Sequence, residues 1–328
     1  PVEDAVKYLK EAVVSSYGKK GEKVVNMNYQ AIDAGLDGIM KINVPYDWTN
    51  ALNDKLEQNE DFPEFVRDIV RPMNRLEGDS LPVSTFINAG MHDGTFMHGT
   101  TSYEKRGIAV NVPEWIPENC IQCNQCSYVC PHATIRAFLF DEEEKSKAPE
   151  SVKLLEPKGI KSDEKLYFSI GVTPLDCTGC GNCAQVCPAP GKALVMKTQD
   201  SQHEQIEAWN YAVEKVKTKN PLNKNTLKGS QFERPLLEYN GACAGCGETP
   251  YARLVTQLFG DRMMIANATG CSSIWAASTP ASAYTINQQG HGPAWANSLF
   301  EDNAEFGYGM YLGVKTIRER IANNVSIA

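Results

Sequence analysis

The sequence predicts a multidomain protein of α/β plus α+β class, with a small duplicated segment in the middle of the chain. Three observations predict it. A length of 328 residues suggests about two domains and is enough to bury a core. One cysteine pattern occurs twice in the middle of the chain, at Cys120 and again at Cys177. Helical periodicity and short strand-like runs lie on both sides of that repeat.

The composition agrees. Hydrophobic residues make up 42% and charged residues 22%, which fits a soluble globular protein and argues against disorder. No run of about 18 apolar residues occurs, so no membrane-spanning helix is expected. Pro1-Val2-Glu3-Asp4 shows no charged-then-apolar leader, and the missing initiator Met suggests a piece of something longer. The net charge of -8 disfavours a nucleic-acid binder, which needs a basic face for phosphates.

Val6, Leu9, Val13, Val14 and Tyr17 recur at helical spacing between residues 4 and 20, with Gly18 as a stop. A second helical stretch runs from Glu22 to Asp33, and Gly38 to Val44 reads as a short strand closed by Pro45. Residues 45 to 113 are punctuated by proline and glycine and read as a connecting segment, with a helix near Pro63 to Val70. His92 and His98 fall there and are assigned no metal. Ile135 to Phe140 and Ala193 to Lys197 read as matching strands, one after each cysteine loop. His203 to Lys219 is helical and amphipathic. Arg262 to Ala268 reads as a buried strand, and helical periodicity returns from Ala304 to Ile321.

Between the cysteine loops, Pro131 to Asp176 reads as a surface insertion. Lys145 to Lys165 carries six Lys against four acids, and Glu214 to Lys228 five Lys against one. Solvated loops explain such runs, or a docking face for an acidic partner, in which case reversing Lys215, Lys217 and Lys219 should slow that partner.

The eleven cysteines carry the chemistry. Cys120-x2-Cys123-x2-Cys126-x3-Cys130-Pro131 and Cys177-x2-Cys180-x2-Cys183-x3-Cys187-Pro188 both follow the bacterial iron–sulfur run. Three thiolates on a tight loop can face one cubane, while the fourth lies a helical turn on and reaches the sister cluster. The expected sets are Cys120, Cys123, Cys126 with Cys187, and Cys177, Cys180, Cys183 with Cys130. Zinc ribbons use two well-separated pairs, which does not suit this spacing. Reduced thiolates point to the cytoplasm of a cell with low oxygen. Cys243 and Cys246 form a third C-x2-C, and Cys271 stands alone. Together they read as an incomplete third cluster whose fourth ligand lies beyond Ala328. A redox dithiol, or a lone buried Cys271, is the blander alternative.

The stretches Glu104 to Ala133, Leu227 to Leu254 and Ala266 to Met310 resemble pyruvate:ferredoxin (flavodoxin) oxidoreductase. The resemblance covers essentially the whole chain, as an internal piece of the long single-chain enzyme. It implies a 2[4Fe-4S] bacterial-ferredoxin-like domain between the end of an α/β domain and the start of a thiamine-diphosphate-binding α/β domain. The implied boundaries are 1–58 for the end of the third catalytic domain and 59–99 for a small connecting domain. The ferredoxin-like domain takes 100–216, and a truncated thiamine-diphosphate domain takes 217–328.

That family converts pyruvate and coenzyme A to acetyl-CoA and CO2 and reduces ferredoxin or flavodoxin. The resemblance implies three [4Fe-4S] clusters, thiamine diphosphate, and Mg2+ whose ligands lie outside this chain. It gives Cys243, Cys246 and Cys271 to the cluster nearest the thiamine, with Glu248 and Cys271 also touching thiamine diphosphate. It suggests a homodimer, no nucleic acid and no membrane. No GDG motif for metal and diphosphate is present, so no catalytic residue is assigned and the chain alone should be inactive. The rival readings are a stand-alone ferredoxin-type carrier and an oxidoreductase for another 2-oxoacid.

Overall fold

The computed structural model describes residues 2–50, 62–277, 281–298 and 303–327. The chain divides into two compact units, Pro1–Gln58 and Asn59–Ala328.

The first unit is a helical hairpin. Helix α1, Val2–Tyr17, and helix α2, Glu22–Asp37, are joined at Gly21, whose φ of +94° suits glycine. Lys10 spans the pair to Asp33 at 2.7 Å. Neither helix buries a residue. The strand expected over Gly38 to Val44 does not form. Ile39 is 72% and Met40 83% exposed, and no described neighbour pairs with them, whereas a strand needs a hydrogen-bonded partner to persist.

The second unit begins with short helical turns. The expected helix near Pro63 is present: a π-type turn over Val66–Val70 runs into α3, Arg71–Asn74, and buries Val66, Ile69 and Val70. Helix α4, Val83–Asn88, follows Pro82. Gly99 donates its N–H to Tyr284 O at 2.7 Å, and Thr101 Oγ1 donates to Glu238 O at 2.9 Å, so this connecting segment is stitched to the C-terminal part.

The centre is built from two antiparallel pairs. Strand β1, Asn111–Trp115, pairs with β4, Leu194–Thr198; β2, Ile135–Phe140, pairs with β3, Tyr167–Val172. Short helices follow the cysteine loops: α5, Gln125–Tyr128, precedes β2, and α7, Asn182–Val186, precedes β4. Both strands expected after the loops therefore exist. Trp115, Ile135, Leu139, Phe168, Ile170 and Leu194 form one core with Cys120, Cys130, Cys183 and Cys187. Helix α8, Glu204–Lys215, covers β3 and buries Trp209.

The insertion between the loops is more than a surface excursion. Helix α6, Glu142–Ser146, starts at a reciprocal cap between Asp141 and Glu144. Leu155 bridges to Phe168, and Val152 and Leu154 pack on Phe140 and Tyr167. Buried Glu144 accepts from Lys217 N–H at 2.9 Å and from Lys219 Nζ at 2.5 Å. Lys219 is thus an internal cation, not a member of a free docking face. A carboxylate brought inside by α6 needs a counter-charge, and this lysine supplies it.

Helix α9, Leu227–Ser230, is capped by Thr226, and α10, Thr249–Phe259, follows the third C-x2-C. Strand β5, Met264–Asn267, runs parallel to β6, Ala294–Asn297, with α11, Cys271–Ala276, between them. The expected strand is shorter and less buried than its composition suggested: Met264 is 63% exposed. Parallel strands are buried when layers cover both faces, and among the described residues the β5–β6 pair has only two strands. Helix α12, Asn303–Ile327, follows and buries only Asn303 among its described residues. No described helix is long and apolar enough to cross a membrane.

Candidate metal centre

The two cysteine loops share one backbone shape, reached by different means. Gln122 and Asn124 have φ of +60° and +61°; their counterparts Gly179 and Gly181 have +70° and +77°. Left-handed residues at these positions turn the loop so that three cysteines face inward. Glycine adopts them freely, whereas other residues pay about 1–2 kcal/mol. In the first loop side-chain bonds offset that strain: Gln122 Nε2 donates to Glu156 O at 2.8 Å, and Gln122 Oε1 accepts from Lys158 N–H at 2.7 Å. Asn124 Nδ2 donates to Lys228 O at 3.1 Å. In the second loop a Cβ at Gly179 would lie 3.0 Å from Asn111 O and 3.2 Å from Ala109 Cβ, so a side chain there would crowd its neighbours.

Cys120, Cys123, Cys126 and Cys187 line one cavity, walled by Trp115, Phe168 and Ile170. Burial raises the Cys126 thiol above its usual range, and the neighbouring charges of Cys120, Cys123 and Cys187 raise it further. Around the other loop, burial pushes Cys177 up to about 12, with Cys130 and Cys180 adding to the rise. Cys183 is raised by burial and then by Cys130. Cys187 therefore stands with the first three cysteines of the other loop, and the charge of Cys130 acts on Cys177 and Cys183. Backbone N–H groups point at the sulfurs: Gln122 to Cys120, Gly179 to Cys177 and Ala193 to Cys187, each at 3.4 Å. Such donors stabilise negative sulfur. Among the described residues, no three His, Cys, Asp or Glu side chains converge on a single-ion site. The donor set, the cavity and the N–H groups fit an inorganic iron–sulfur cluster.

Several residues that the motifs did not single out support the second loop. Asp176, just before Cys177, is held by Lys105 Nζ and Thr173 Oγ1, both at 2.7 Å. His132 Nε2 lies 2.9 Å from Ala242 O, and its Nδ1 lies 3.3 Å from Thr178 Oγ1. A carbonyl only accepts, so Nε2 carries the proton and Nδ1 accepts from the threonine. Burial lowers the pKa of His132 and keeps it neutral. Its position after Cys130-Pro131 was the only sequence signal available.

The third C-x2-C repeats the loop geometry. Gly245 has φ of +75°, at the position matching Gln122 and Gly179, and Glu248 N–H donates to Cys246 Sγ at 3.4 Å. A Cβ on Gly245 would lie 3.6 Å from Cys180 Cβ, so this loop abuts the second cysteine loop. Cys271 opens α11 and is exposed. That helix is tied to the loop by Gly241 N–H to Trp275 O at 3.2 Å and by Trp275 Nε1 to Glu248 Oε2 at 3.2 Å. Glu248 is itself exposed, and the neighbouring Thr249 hydroxyl is buried with no partner among the described residues. One carboxylate and one hydroxyl fit part of a thiamine diphosphate site; an acidic set for a diphosphate-bound metal is not among them.

The 4Fe-4S dicluster domain family matches residues 119–191, and a domain of unknown function termed EKR matches residues 52–109. Pyruvate-flavodoxin oxidoreductase of Enterobacter agglomerans is 56% identical over the whole chain. Pyruvate:ferredoxin oxidoreductase of Moorella thermoacetica is 55% identical, again over the whole chain. Pyruvate dehydrogenase [NADP(+)] of Cryptosporidium parvum is 45% identical over 99% of the chain, which covers 18% of that protein. The chain spans about 28% of the length of the first two relatives. Over its whole length the chain is similar to a segment of pyruvate-flavodoxin and pyruvate:ferredoxin oxidoreductases, and the 4Fe-4S dicluster match lies within that segment.

Proposed function

We propose that this chain is the electron-transfer and partial thiamine-site segment of a pyruvate:ferredoxin or pyruvate:flavodoxin oxidoreductase. One observation carries the reading: Cys187 lines the same cavity as Cys120, Cys123 and Cys126, across the sequence repeat. In this reading those four hold one [4Fe-4S] cluster, and Cys177, Cys180, Cys183 and Cys130 hold the other. Cys243, Cys246 and Cys271 supply three ligands of a third, completed from outside the chain.

In this reading electrons enter beside Cys246 and leave beside Cys120, an order supported by the third C-x2-C abutting Cys180. Thiamine diphosphate, next to Glu248 and Cys271, supplies the decarboxylation chemistry in the complete enzyme, with Mg2+ held elsewhere. Pyruvate and coenzyme A are the substrates of that enzyme, which we take to be a homodimer.

The exit side is basic. Lys158 Nζ donates to Cys120 O at 3.2 Å, and Lys228 Nζ donates to Lys158 O at 2.5 Å. Neither has a carboxylate partner among the described residues. These two, in place of Lys219, suit an acidic ferredoxin or flavodoxin. The relative named for NADP(+) fits the same scheme with another acceptor.

Anaerobic reconstitution with iron and sulfide tests the reading. Two clusters give about eight iron atoms per chain, with a brown colour and a low-temperature EPR signal on reduction. Pyruvate is not oxidised by the chain alone. A colourless, zinc-loaded product contradicts the reading, as does a count near twelve iron with pyruvate oxidation.

A further inference from the structure

Arg253 lies in α10, outside both cysteine repeats, and is 1% exposed. Its Nη2 donates to Tyr128 O at 2.7 Å, at the end of the α5 turn between Cys126 and Cys130. Its Nη1 donates to Gln231 Oε1 at 3.0 Å and to Gln257 Oε1 at 2.9 Å. Gln231 Oε1 also accepts from Ser127 Oγ at 3.0 Å, so the network grips the residue after Cys126 as well. Every acceptor is a neutral amide or carbonyl. Among the described residues no carboxylate pairs with Arg253, and its Nε has no partner.

A buried guanidinium with no counter-ion is costly, and proteins retain one where a negative charge is present. The contrast with Arg136 is informative. That arginine is equally buried and also feels Cys130, but Glu238 neutralises it, and Trp209 and Tyr239 cover its faces at 5.0 and 5.5 Å. Burial holds the Arg253 pKa down to about 10, and the Cys130 charge opposes that fall, so the group stays cationic at neutral pH.

We infer that Arg253 is a redox-positioning residue: its unpaired buried cation is the counter-charge of the iron–sulfur cluster ligated by Cys130, Cys177, Cys180 and Cys183, and it raises that cluster's reduction potential. This rests on the cluster assignment proposed above. A thiolate-ligated cluster is anionic and gains one further negative charge on reduction, so a fixed cation nearby favours the reduced state. The same charge reaches the α5 backbone, and thereby couples α10, which follows the third C-x2-C, to the loop where the two cysteine sets cross.

The test is an EPR-monitored redox titration of the reconstituted chain with Arg253→Met, Arg253→Lys and Gln257→Glu. Arg253→Met removes the charge. Gln257→Glu leaves the arginine in place and sets a carboxylate on its Nη1. Both are expected to make one cluster at least tenfold harder to reduce, a shift of about 59 mV or more to negative potential for one electron. Arg253→Lys keeps that midpoint near wild type. A Cys180→Ser background, which alters the signal of the second loop's cluster, identifies the cluster that moves. Iron content and thermal midpoint are read in parallel, and Gln257→Glu decides the matter if Arg253→Met does not fold. Unchanged midpoints in the iron-loaded variants, or a shift confined to the Cys120 cluster, overturn the inference alone. A wild-type chain that takes up no iron overturns the cluster assignment and this inference together.

Discussion

Reversing the charge of Lys219 should destabilise the protein and leave no specific defect in docking. Lys219 Nζ lies 2.5 Å from Glu144 Oε2 and 3.2 Å from Asp141 Oδ2, and the three side chains are 16%, 10% and 29% exposed. Glu144 also accepts from Lys217 N–H at 2.9 Å and Asp141 N–H at 3.0 Å, so it cannot turn to solvent without breaking the start of α6. Lys219→Glu removes the cation that pairs with both carboxylates among the described residues and places a third carboxylate beside them. Breaking a fully buried pair costs about 3–5 kcal/mol; the partial exposure of Asp141 reduces this to about 2–4 kcal/mol. Lys215 is the control: it is 65% exposed and 3.8 Å from Glu214, so its reversal should cost about 0–1 kcal/mol. Urea unfolding of the cluster-loaded chain measures both as a change in midpoint at constant slope. Equal midpoints for the Lys219→Glu and Lys215→Glu variants would show that the network carries no stability, and the internal role given to Lys219 would be wrong.

Three further outcomes follow from the same geometry. Gly179→Ala should cost more than Gly181→Ala, because both incur left-handed strain of about 1–2 kcal/mol but only the former meets Asn111 O and Ala109; urea midpoints and iron retention measure the difference. Reversing Lys158 and Lys228 together should slow reduction of an acidic acceptor at low ionic strength, with the difference from wild type closing near 1 M salt, as stopped-flow rates would show. Asp141→Ala should destabilise by about 1 kcal/mol through loss of the α6 cap. The Asp141 carboxyl is held below its usual 3.8, first by Glu144 N–H and then by Lys219. A depressed acid stabilises above its unfolded value and loses that contribution as pH falls through its folded one, so the gap between wild type and this variant should shrink below about pH 4.

The cysteine loops were legible because their chemistry fixes spacing. Even the left-handed residues could be anticipated at Gly179 and Gly181, though not at Gln122 and Asn124, where long-range bonds to 156, 158 and 228 allow ordinary residues to adopt the same turn. The amphipathic helices α1, α2 and α8 were read for the same reason, since helical period is local. Strands depend on partners, and this is why Gly38 to Val44 failed despite its composition. The lysine runs misled because a count of charges does not say which ones fold inward: Lys219 pairs with Glu144, 75 residues away in sequence. Lys105 and Arg253 carried no motif at all. Each meets the cysteine loops only through the tertiary fold, Lys105 at Asp176 and Arg253 at Tyr128.

Crossed ligation is the central claim, and iron counts on paired cysteine variants test it most directly. Cys187→Ala combined with Cys120→Ala should retain about four iron atoms per chain, because both residues serve one cluster. Cys187→Ala combined with Cys177→Ala should retain almost none. The opposite pattern, with the second pair keeping a full cluster and the first losing both, would mean that each loop holds its own four cysteines around its own iron.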